Sequence, residues 1–132
     1  MKRRGVAGAL LAGSLTIAAP AAAQDAPPFV GQWAVEGPGA CRTGAGTDDL
    51  MLTITAKTLE YYASTCTVLS SRRLSRSGDN VHRLKLRCTG EGETTESERI
   101  LAVLEKNEQR PDLLLHIDPA GWAVLGYQRC GG

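Results

Sequence analysis

Four cysteines, two histidines and a set of arginines are the residues of this chain that could do chemistry. Cys41, Cys66, Cys88 and Cys130 lack the close Cys-x-x-Cys pairs that a zinc site needs, and their even number behind an export leader reads as two disulfides. Neither a metal nor a cofactor is expected. His116 and Asp118 stand two apart, on one face of a strand, and a serine beside them would sketch a hydrolytic triad. No serine sits in a Gly-x-Ser-x-Gly elbow, however, so His116 is read as an edge-strand histidine beside a turn aspartate. Phosphate-cradling glycine patterns are missing, and Gly37, Gly39, Gly44 and Gly46 mark only a flexible loop. Glu91, Glu93, Glu96 and Glu98 are spaced as a solvent-facing set rather than as an acid/base pair. The expectation is a protein that is not an enzyme.

The leader explains the cysteine usage. Lys2, Arg3 and Arg4 form a positive start, Val6 to Ala19 an apolar run, and Ala21-Ala22-Ala23 a small-residue cleavage site before Gln24. The apolar run ends at Pro20, short of the ~20 residues of a spanning helix. Ser14 follows Leu11-Ala12-Gly13 where a lipoprotein would need its acylated cysteine, and Gly5-Val6-Ala7 after Arg3-Arg4 lacks the rest of a twin-arginine signal. Residues 1–23 are therefore expected to be a cleaved signal peptide and residues 24–132 one periplasmic or secreted domain with no membrane span. Three of the 15 basic residues leave with the leader, so 12 face 14 acidic ones, a formal charge of −2. Such a domain has no general pull on nucleic acid.

The elements that must position these residues are strands. Alternation and β-branched content bounded by turn residues predict strands near Gly31–Glu36, Leu50–Thr55, Leu59–Ser64, Cys66–Ser75, Asn80–Thr89, Thr94–Leu104, Leu113–Asp118 and Ala123–Cys130. Turns fall at Arg76-Ser77-Gly78, Gly90-Glu91-Gly92 and Asp118-Pro119-Ala120-Gly121. No segment holds a helical period. The fold class is all-β, a small antiparallel meander of about eight strands forming a closed or nearly closed barrel, with a β-sandwich as the alternative.

Two hairpins fix a register. A three-residue loop with Gly78 left-handed pairs Ser75 with Asp79 and so opposes Cys66 to Cys88 and Val68 to Leu86. Of the three pairings open to four cysteines, this selects Cys66–Cys88 and leaves Cys41–Cys130 to tie the first loop to the chain's end. A two-residue turn at Glu91-Gly92 opposes Arg87 to Glu96 and Lys85 to Glu98, a solvated ladder of opposite charges. Those registers have an awkward consequence. Thr95, Ser97 and Arg99 join Leu101 and Val103 on the inner face, beside Ser70, Arg72 and His82. Either Arg72, His82, Arg99 and Ser70 line a pocket for an anionic ligand, or a bulge returns these groups to solvent; the bulge is the plainer reading.

Gly31-Gln32-Trp33 on the first strand, with Arg129 on the last, resembles the signature of lipocalin and calycin-type barrels. The resemblance implies that Trp33 packs under a closed end against Arg129. A Gly-x-Trp followed by a cysteine is also similar to the periplasmic inhibitors of secreted metalloproteases, which carry one disulfide and inhibit through an N-terminal tail; Gln24 to Pro28 is short for that role. Over most of the chain, Gly31-x-Trp33-Ala34, Cys41, Leu52-x-Ile54-Thr55, Tyr62-x-x-x-Cys66, Cys88-x-Gly90-Glu91-Gly92 and Tyr127-x-Arg129-Cys130 resemble small four-cysteine exported proteins of Gram-negative bacteria. That likeness implies fold and compartment but no activity. The expected function is a non-enzymatic binding or inhibitor module, presenting the Gly37 to Asp49 loop to an envelope or secreted protein. A carrier of a small, anionic ligand is the alternative, and a small hydrolase or redox enzyme comes last.

Overall fold

The alternating pattern closes into a barrel. A computed structural model describes Gly13 and residues 26–41, 48–76 and 80–131, so the rest of the leader, Gly44 and Gly46 of the Gly-rich loop, and Ser77-Gly78 of the first hairpin turn lie outside the described residues. Eight strands follow in order: β1 Gly31–Ala34, β2 Met51–Ile54, β3 Thr58–Glu60, β4 Ser64–Arg73, β5 Asn80–Gly90, β6 Glu93–Leu104, β7 Leu113–Asp118 and β8 Ala123–Arg129. Each pairs antiparallel with its neighbour and β8 returns to β1, which closes the sheet. Two single 3-10 turns, Pro38–Cys41 and Asp48–Leu50, interrupt the long first connection. β1 stops two residues earlier than its sequence suggests, because Glu36 and Gly37 both take positive φ.

Inward positions supply the core. Trp33, Leu52, Ile54, Leu59, Cys66, Leu84, Leu86, Leu101 and Leu114 are fully buried and carry the apolar stabilisation. Both expected disulfides form, with Cα separations of 3.9 Å for Cys66–Cys88 and 5.7 Å for Cys41–Cys130. Cys66 and Cys88 are direct cross-strand partners, as expected, but beside the turn the ladder runs one residue off the expected register, with Arg73 rather than Arg72 opposite His82, and the irregularity at Leu69 restores the expected pairing. The second hairpin also keeps its register, with Arg87 opposite Glu96 and Lys85 opposite Glu98 across a Glu91-Gly92 turn. Arg87 binds Glu96 at 3.0 Å, but Glu98 takes the diagonal Arg83 in place of the opposed Lys85. The guanidinium fork reaches a carboxylate in two directions where an ammonium offers one point.

One expected inner-face group is overturned. The β4–β5 ladder slips between Val68 and Ser70, so that Ser70 opposes Lys85, Arg72 opposes Arg83 and Arg73 opposes His82. Leu69 is the extra residue of a bulge, and from there each side chain of β4 changes face. Ser70 and Arg72 therefore leave the interior for the charged outer face, where Arg72 helps to hold the Glu98 carboxyl below its usual range, after the larger effect of Arg83. An uninterrupted ladder would have buried the Arg72 charge.

Candidate functional site

The even-numbered connections, β2–β3, β4–β5 and β6–β7, lie with Trp33 and Arg129 at one end of the barrel. This end is sealed. The Arg129 guanidinium lies 4.1 Å from the Trp33 ring centroid. It also donates to Asp112 at 2.7 Å, to the Pro28 carbonyl at 2.7 Å and to the Val30 carbonyl at 3.1 Å. Trp33 Nε1 in turn donates to the Phe29 carbonyl at 2.8 Å. Gly31 must be glycine here, since its φ is +143° and a Cβ would lie 2.8 Å from the Arg129 guanidinium. The residues that the sequence marks for closure, Gly31, Trp33 and Arg129, thus form one contact set. His82 belongs to this end too, edge-on to Phe29 with ring centroids 5.0 Å apart. Burial, with Arg73 adding to it, lowers its pKa. It does not meet Arg99.

The opposite end is open and polar. A cavity of about 620 Å³ is floored by Leu86 and the Cys66–Cys88 disulfide, and Thr95, Ser97, Arg99, Tyr61 and His116 line its walls. β6 brings Thr95, Ser97 and Arg99 inward by alternation, β7 brings His116, and the chain leaving β3 brings Tyr61. Asp49, Glu91 and Glu93 stand at the rim. The Tyr61 hydroxyl and His116 Nε2 are 2.7 Å apart. Burial pushes the Tyr61 hydroxyl up to about 12, against the opposing effect of Arg99. Burial first, and the Arg99 charge second, lower His116 to about 4. At neutral pH the phenol is therefore protonated and the imidazole neutral, and the two share one hydrogen bond whose direction is set by the His116 tautomer. Arg99 is the cation of the cavity.

Arg99 is incompletely paired. Its side chain is 24% exposed, its Nη1 donates to the Glu98 carbonyl at 2.6 Å, and Asp118 lies 3.6 Å away. Its Nε is buried without an acceptor, a costly state for a charged donor. That Nε is closed to solvent, so an oxygen in the cavity meets the rest of the guanidinium and reaches Nε only if the side chain turns. Of the four expected pocket residues, then, Arg99 alone lines this cavity; Ser70 and Arg72 face outward and His82 sits at the sealed end. Sequence reasoning missed Tyr61 and His116. The signal for His116 was present, for it stands two residues from the buried Leu114 and must share its inward face. Tyr61 stands two residues from the buried Leu59 within the strand expected over Leu59–Ser64, so the same alternation pointed to it, although β3 itself ends at Glu60.

Among the described residues no cluster of His, Cys, Asp and Glu could hold a metal ion, and all four cysteines are in disulfides. No described helix is long and apolar enough to cross a membrane. Comparison with protein-family models, with curated proteins and with solved structures finds no match to this chain. The case for function therefore rests on the cavity.

Proposed function

We propose that this is a non-enzymatic binding protein of the periplasm or extracellular space whose barrel takes a small molecule or chain end bearing an acidic group. The observation that carries the reading is Arg99, a partly exposed cation on the wall of an open cavity of about 620 Å³, with its carboxylate partner Asp118 no nearer than 3.6 Å. That volume lies within the range of small-ligand sites. Tyr61 and Ser97 offer hydroxyls beside the cation, and Leu86 with the disulfide offers an apolar floor. The acidic rim favours a ligand whose remaining body is neutral or basic. Binding is favoured over catalysis because Tyr61 and His116, at about 12 and about 4, are both poor proton-transfer groups near pH 7. The two disulfides are compatible with export, and the leader supports it.

Titration with butyrate, hexanoate and octanoate, and with their amides, followed by NMR, tests this reading. The acids are expected to shift the Tyr61 and His116 resonances and the amides to leave them in place, with the response lost in Arg99→Gln. Equal responses to acids and amides would overturn it.

A further inference from the structure

β6 pairs with β5 from Glu93 to Val103, but with β7 only from Ile100 to Leu104. Among the described residues the far edge of Glu93 to Arg99 carries no partner strand. Its backbone groups are a template for another chain. The edge runs between two hollows. The interior cavity, lined by Thr95, Ser97 and Arg99, lies on one side. A groove of about 470 Å³, lined by Glu96, Glu98 and Pro119, lies on the other. Ser97 and Arg99 line both. Natural edges are usually blunted by proline, by a bulge or by charges projecting over them. Here the segment has no proline, its ladder to β5 is unbroken, and Arg87 and Arg83 hold Glu96 and Glu98 against the outer face. No described strand pairs with the track, and Arg99 caps its inner end by donating to the Glu98 carbonyl.

The inner end of this track selects its occupant. Beyond Arg99 the edge is taken by β7, from the Ile100–Ile117 pair onward, so an added strand has to terminate there. A chain entering from the rim and running parallel to β6 would bring its C-terminal carboxylate to the partly exposed Arg99 side chain, which lines both hollows. A chain running the other way would press an ammonium against that cation. We propose that the free edge of β6 receives the C-terminal tail of a partner polypeptide as an added strand, with its terminal carboxylate on Arg99. The inference rests on the reading of Arg99 as the anion site and names the anion's source. The tail is extended, free of proline over its last ~six residues, the span of the track, and neutral or basic toward the acidic rim. Main-chain bonds to β6 supply affinity and the carboxylate fixes register. On binding, Arg99 exchanges its bond to the Glu98 carbonyl for the ligand oxygens.

The test equilibrates the folded, disulfide-bonded protein with a random hexapeptide pool, made once with free C-termini and once with C-terminal amides. Retention is read by mass spectrometry and backbone protection by hydrogen exchange. The free acids are expected to be retained about tenfold over the amides and to slow exchange at Thr94 to Glu98. Both effects are lost in Arg99→Gln and partly kept in Arg99→Lys. Equal retention of the two pools would overturn the proposal. Carboxylate-dependent retention without protection of β6, or binding of short acids but of neither pool, would overturn strand addition while leaving Arg99 as an anion site. If the short acids fail as well, the underlying reading falls with it.

Discussion

At the scale of single residues, His116 makes stability depend on pH in a direction that can be worked out. Its pKa is lowered to about 4 in the fold and returns to the ordinary value of 6.5 when the chain unfolds. Between those values the unfolded state binds the extra proton, so stability rises with pH across that window and is lost as pH falls through it. The loss is on the order of 2 kcal/mol, and it disappears in His116→Gln, as denaturant titrations at pH 4.5 and pH 7.5 would show; equal slopes in the two proteins would contradict the burial described. Gly31 makes the second residue-scale case. Gly31→Ala combines an unfavourable positive φ with a Cβ 2.8 Å from the Arg129 guanidinium, for an expected cost of about 2 to 3 kcal/mol. In an Arg129→Ala background the steric part vanishes, so the double variant should lose less than the sum of the singles.

At the scale of elements, the mouth depends on how closely the strand ends approach one another. A Cβ on Gly90 would lie 2.7 Å from the Ala63 carbonyl oxygen and 2.8 Å from the Ser64 Cβ, so the Tyr61-bearing corner is pressed onto the end of β5. Gly90→Ala is expected to cost about 1 to 3 kcal/mol and to break the Tyr61–His116 contact, visible as an altered His116 resonance; an unchanged resonance would contradict it. The element scale also shows what was legible in the sequence. The β5–β6 hairpin was readable because Glu91-Gly92 is a two-residue turn whose conformation fixes the register, and alternation then carries it as far as Arg99. The β4–β5 hairpin was readable only away from its turn: the expected register holds from Cys66 to Val68, but beside the turn Arg73 opposes His82, one residue off, and the bulge at Leu69 makes up the difference. Leu69 looks like any other strand residue, and a bulge is chosen by the cost of burying Arg72 rather than by local propensity. The site was therefore half visible, with Arg99 in place and its companions misassigned.

At the scale of the whole molecule, the two disulfides act over different lengths of chain. Cys41–Cys130 spans 89 residues and Cys66–Cys88 spans 22. In the chain-entropy account their removal costs about 4 to 5 and about 3 kcal/mol respectively. Denaturation of the paired Cys→Ala variants should give that order, and the reverse order would show that native packing outweighs chain entropy. Both staples serve a barrel with one sealed end and one open polar end. The proposed ligand site puts an acidic group on Arg99 inside that open end. Native mass spectrometry of the protein, exported with its leader and isolated without denaturation, tests this most directly. A carboxylate-bearing species is expected on the wild type and not on Arg99→Gln, and the same bound species on both proteins would rule out Arg99 as the anion site.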